Sequence, residues 1–181
     1  YAGVAAMTIV FYLSAAVAVI ATVLVITRLN AVHALLHLIV SLLAIAVIFF
    51  TLGAPFVAAL EVIIYAGAIM VLFVFVIMML NLGPHAAEAE RRWLDPAIWV
   101  GPGILALILA GEVGYLILRG AAGTTGAAIV GPQTVGVSLF TTYMLGVELA
   151  SLVLLAGLVG AYHLGRRRGA GEDGEGERTN G

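Results

Sequence analysis

Three carboxylates, two closely spaced histidines and a tyrosine stand inside long apolar runs: Glu61 and Tyr65 in EVIIYAGAIMVLFVFVIMMLN, Glu112 in LAGEVGY, Glu148 in MLGVELA, and His33 and His37 in HALLH. An ionisable residue at the centre of a spanning helix costs roughly 2.5 to 3.5 kcal/mol on insertion scales, so each of these groups must face protein or a water-filled cavity rather than lipid. The chemistry open to such carboxyls is proton exchange, as stations of a proton or water relay. The plainer reading is a neutral carboxyl hydrogen-bonded to a neighbouring helix. Both readings stay open for Glu61 and Glu148, whereas Glu112, close to an interface and beside Gly111 and Gly114, favours packing.

Spacing groups some of these residues. Glu61, Tyr65, Ala68, Leu72 and Phe75 form one helical stripe, because residues three and four apart share a face, so Glu61 and Tyr65 can line one cavity. Gly67, between Ala66 and Ala68, makes a notch of small residues where backbone hydrogen bonds can be rearranged. A π-bulge there would rotate the following Leu72, Phe73, Phe75 and Met78 by about 100° relative to the upstream half. His33 and His37 have a spacing that also occurs in zinc sites, but zinc needs three or four ligands and no thiolate or nearby carboxylate supplies them. Helix packing is the better reading for the pair. Gly111 and Gly114, and likewise Gly157 and Gly160, would let helices approach closely.

The elements that must position these groups are apolar helices. Of the 181 residues 63% are hydrophobic and 10% charged, and the mean hydropathy is +1.17, which makes this an all-α, polytopic membrane protein. Five runs reach the roughly 20 residues needed to cross the hydrocarbon: 5–27, 32–52, 56–80, 98–118 and 138–163, together a single transmembrane domain over 1–165. Gly53, Ala54 and Pro55 leave room only for a tight hairpin between the second and third. By a rise of 1.5 Å per residue, Glu61 lies roughly 8 Å and Glu148 roughly 15 Å below the nearer end of its span, so Glu148 is the deepest carboxylate.

All eight basic residues are arginine and none is lysine. Arg28 follows the first span, Arg91 and Arg92 the third, and Arg166, Arg167, Arg168 and Arg178 the fifth, while Arg119 stands alone on the other side. The positive-inside rule then places the N terminus outside and the C terminus in the cytoplasm. Between spans three and four, GPHAAEAERRWLDPA reads as a short interfacial helix ending before Pro96, with Trp93 and Trp99 as interfacial anchors. Residues 120–136 read as a flexible outer loop, and the glycine-rich charged tail 166–181 as disordered. Tyr1 in place of Met leaves room for preceding sequence, and the first apolar run is long enough to span rather than to act as a short signal peptide. The chain has no cysteine, which excludes disulfides, iron–sulfur clusters and thiolate metal sites, and too few basic residues for a nucleic-acid surface. No internal repeat supports the architecture of many secondary transporters.

The blocks EVIIYAGAIMVLFVFVIMMLNLG, NAVHALLHLIVSLLAIAVIFFTLGA, RRWLDPAIWVGP and VGVSLFTTYMLGVELASLVLLAGLVGAYHLGR cover well over half the chain. They resemble the J-subunit family of the proton-pumping NADH–quinone oxidoreductase, respiratory complex I. That resemblance implies a five-helix core subunit of the membrane arm in the bacterial inner membrane, placed between the quinone-binding module and the antiporter-like subunits. It implies a third helix with a π-bulge around the residues matching Tyr65 and Gly67, with Val71 in the bulge and Leu72 and Phe75 carried on the rotating half, gating a water wire. It further implies that this chain binds no cofactor or metal and holds no catalytic residue, NADH, FMN, iron–sulfur clusters and quinone belonging to other subunits. Glu112 and His37 stand where the family more commonly has apolar and aromatic residues.

Three functions compete on this basis. The first is a non-redox coupling subunit whose third helix gates proton movement through Glu61, Tyr65 and Glu148. The second is a purely structural packing subunit. The third is an independent ion carrier, or the membrane subunit of a related hydrogenase- or ferredoxin-linked pump; the absence of lysine argues against the independent carrier, since the antiporter-like subunits depend on intramembrane lysines.

Overall fold

The computed structural model describes residues 2–80, 96–118 and 129–166. Among these it is helical throughout, with no strand. Helix α1 spans Ala2–Thr27 and α2 spans Ala31–Thr51. Helix α3, Pro55–Leu60, continues without a break into a π-helix over Glu61–Ile69 and returns to α geometry as α4, Met70–Leu80. Helix α5 is Pro96–Leu118, α6 is Pro132–Phe140 and α7 is Met144–Arg166. Five stretches are long and apolar enough to cross a membrane: Gly3–Thr27, Ala31–Thr51, Pro55–Met79, Trp99–Leu118 and Met144–Arg166. The interfacial segment expected after span three, with Arg91, Arg92 and Trp93, lies outside the described residues, as do Arg119, most of the outer loop and the tail from Arg167.

Local chemistry sets the helix ends. The Asn30 side chain accepts a hydrogen bond from the Val32 N–H at 3.0 Å and caps α2 at its start. At the other end Gly53 takes φ 81°, a left-handed conformation that suits a residue without Cβ. Its N–H donates to the Phe50 carbonyl at 3.1 Å and the Ala54 N–H to the Phe49 carbonyl at 3.0 Å, the paired bonds of a Schellman closure. Pro55 then opens α3 at a position whose N–H would have had no partner. The Gly53 carbonyl accepts from the Val130 N–H at 2.9 Å, which pins the chain ahead of α6 to this hairpin.

Two boundaries differ from the sequence expectation. The loop expected over 120–136 gives way to helix at Pro132, and the fifth span expected from Ser138 begins at Met144. A turn over 141–143 separates α6 from α7. Two successive β-branched threonines weaken helix there, and the Thr141 hydroxyl donates to the Val137 carbonyl at 2.6 Å. The Tyr143 N–H reaches back five residues to the Ser138 carbonyl at 3.0 Å and closes the turn.

The chain divides into two compact units, residues 1–132 and 133–181. In the first, α1, α2 and α5 share a core that includes Val10, Val17, Ala21, Ala44, Val47 and Leu109. Small residues let α1 and α2 approach closely, and polar groups cross the gap: Thr22 and Ser41 hydroxyls are 2.8 Å apart, and the Ser41 hydroxyl donates to the Ala18 carbonyl at 3.3 Å. The second unit is carried by α6 and α7.

Candidate functional site

The π-helix is the structural departure on which the site centres. In an α-helix each N–H donates to the carbonyl four residues back; here the Met70 N–H is aimed at the Tyr65 carbonyl, five back. Most π geometry in proteins is a single turn inserted in an α-helix, often at a functional position. This segment runs nine residues, from Glu61 to Ile69. Gly67 explains how the backbone tolerates it: a Cβ added there would stand 3.2 Å from the Val62 carbonyl oxygen, closer than ordinary van der Waals contact.

Glu61 opens the π-segment and is half-buried, whereas Tyr65 is 49% exposed. Val71, expected inside the bulge, falls two residues beyond its end, because the wide turns stop at Ile69. Val71, Leu72 and Phe75 all lie on exposed positions of α4, while Met70 at the junction is buried. An apolar cavity of about 590 Å³ runs beside the segment, lined by Val40, Val47, Ala58, Val62, Ala106 and Val113 among others. Neither Glu61 nor Tyr65 lines it; Val62 does. Glu148 lies on α7 in the second unit, where its carbonyl accepts from the Ser151 hydroxyl at 2.7 Å.

Sequence reasoning missed a second polar centre. Glu112 is only 5% exposed, and its Oε2 accepts a hydrogen bond from the fully buried Ser14 hydroxyl. The partner confirms contact with a neighbouring helix, yet Ser14 stands near the middle of α1, about 18 Å from its first residue at 1.5 Å per residue. Glu112 Oε1 has no partner. Its side chain lines a cavity of about 370 Å³ with Ala6, Ile9, Leu13, Gly111 and Tyr115.

His37 is 1% exposed, and its Nδ1–H donates to the His33 carbonyl at 2.8 Å. Nε2 lies against Gly101, where an added Cβ would stand 3.3 Å away. The histidine pair thus packs, as its spacing suggested, and Gly101 is the glycine that admits it. Gly111, Gly114, Gly157 and Gly160, expected to mediate close contact, have nothing within 4 Å of an added Cβ. No group of three or more His, Cys, Asp or Glu stands together as a metal site among the described residues.

The family model of NADH-ubiquinone/plastoquinone oxidoreductase chain 6 matches residues 21–164. The chain belongs to this family. Its relatives include NADH-quinone oxidoreductase subunit J of Pseudomonas aeruginosa, 60% identical over 162 residues that cover 89% of this chain and 98% of the relative. Subunit J of Escherichia coli K12 is 54% identical over 170 residues, 92% of this chain and 90% of the relative. The subunit J of Buchnera aphidicola from Schizaphis graminum is 49% identical over 162 residues, 90% and 99% of the two chains. The matched region contains the hairpin, the π-segment, α5 and nearly all of α7. As a member of the chain 6 family with five spanning helices, this is a multi-pass membrane protein.

Proposed function

We propose that the chain is the J-type subunit of a bacterial NADH–quinone oxidoreductase, a non-redox element of the membrane arm that couples quinone reduction to proton translocation. In this reading residues 1–165 act as one transmembrane domain between the quinone module and the antiporter-like subunits, with the N terminus outside and the C terminus in the cytoplasm. The third spanning helix is the moving part. Conversion of the π-segment to α geometry rotates α4 relative to α3, carrying Leu72 and Phe75 into or out of a water path that Glu61, Tyr65 and Glu148 serve.

The observation that carries the reading is the π-helix over Glu61–Ile69, with Gly67 set over the Val62 carbonyl. Exchange between the two forms trades one set of backbone hydrogen bonds for another. Two states within a few kcal/mol of each other can be driven by differential contacts with a neighbouring subunit. The exposure of Tyr65, Leu72 and Phe75 in this chain supports a face that other subunits cover. The test compares Tyr65→Phe and Gly67→Val in the assembled complex. The gate reading expects quinone-coupled proton pumping to fall more than the amount of assembled complex; a parallel loss of both would leave a purely structural subunit.

A further inference from the structure

Polar side chains recur along α1, α2 and α5, away from the π-segment: Ser14, His37, Ser41 and Glu112 are buried, His33 is half-buried and Thr22 is exposed. On α1, Ser14, Ala18 and Thr22 stand four residues apart on one face; on α2, His33, His37 and Ser41 do the same. Thr22 and Ser41 join the two rows, one hydroxyl donating to the other at 2.8 Å, with the Ala18 carbonyl within reach of both. On α2 the row Ser41, His37, His33 leads toward the turn at Asn30. Glu112 meets the α1 row at Ser14. On its other side, the cavity lined by Leu13, Ile9 and Ala6 follows α1 toward its first residues.

We propose that Glu112 is a membrane-embedded proton-binding site, reached through this cavity. Hydroxyls alone serve helix packing well enough. Two observations go beyond packing: Glu112 Oε1 and His37 Nε2 are both buried without a partner, and a carboxyl oxygen so placed is costly unless something binds it. The cavity is far larger than one water needs, and Glu112 lines it. Proton uptake converts the carboxylate to the acid, Ser14 holding Oε2; release returns the proton to water. Tyr115 is the other titratable residue lining the Glu112 cavity. The inference is independent of the helix-three gate.

The test is modification of the intact, assembled complex by dicyclohexylcarbodiimide, which adds to a protonated carboxyl and rearranges to a stable N-acylurea. Peptide mass spectrometry should find the adduct on Glu112, formed more slowly as pH rises and lost in Glu112→Gln. Gly111→Val, whose Cβ meets nothing within 4 Å, fills the cavity without displacing the helix and should slow the adduct several-fold. Absence of the Glu112 adduct at every pH while other intramembrane carboxyls react would overturn the proposal. So would an adduct insensitive both to pH and to Gly111→Val.

Discussion

The α-carbon of Gly67 lies over the carbonyl oxygen of Val62, five residues earlier, with no room for an ordinary Cβ between them. That relationship belongs to π geometry, in which the residue five back is the hydrogen-bonding neighbour. Gly67→Ala therefore presses a methyl group on the Val62 carbonyl in the π form and should favour the α form. The expected result is about a five-fold shift of the two-form ratio toward α per kcal/mol. Proton pumping per electron should fall while the assembled complex is recovered in normal yield.

Gly101 and His37 supply a packing prediction. Gly101→Val forces a branched side chain onto His37 Nε2 and should destabilise the α2–α5 contact by roughly 1 to 3 kcal/mol. His37→Ala removes the obstructing ring, so the double variant should recover part of that loss. Thermal unfolding of the assembled complex in a double-mutant cycle measures the coupling.

The hairpin between α2 and α3 depends on one left-handed residue. Gly53→Ala at φ 81° should cost roughly 1 to 2 kcal/mol and leave the Phe49 and Phe50 carbonyls poorly closed. The loss should appear as a lower yield of membrane-inserted chain and a lower unfolding temperature.

Ser14 and Glu112 form a pair whose halves are unequal when separated. Ser14→Ala leaves both carboxyl oxygens of a buried Glu112 unpaired and should cost about 1 to 3 kcal/mol. Ser14→Ala with Glu112→Val removes polar groups from both helices and should be more stable than Ser14→Ala alone. Unfolding in detergent, compared across the three variants, checks the ordering.

How much of this was legible in the sequence depended on the range of the interaction. The hairpin at Gly53, Ala54 and Pro55 was readable because capping rules act within a few residues. The apolar helices were readable from composition, although the break at Thr141 was not, since an apolar run carries no sign of a short helix ahead of it. The π-segment had only an indirect sign, the small-residue notch at Gly67, and the resemblance drew attention to it; its nine-residue length and its end before Val71 came from the structure. Ser14 and Glu112 are 98 residues apart in sequence, and no local pattern joins them. The signal that could have suggested them was the face shared by Ser14 and Thr22, eight residues apart in a largely apolar helix, matched by the four-residue spacing of His33, His37 and Ser41 on the next.

The central claim is that the third spanning helix exchanges between two backbone forms during coupling. The direct measurement is electron cryomicroscopy of the assembled complex at rest and during turnover, at a resolution that shows whether the Met70 N–H points to the Tyr65 or the Ala66 carbonyl. The account predicts both forms, with the π form over Glu61–Ile69 in one state and continuous α-helix with rotated Leu72 and Phe75 in the other. A single backbone form in every state, with Leu72 and Phe75 unmoved, would contradict it.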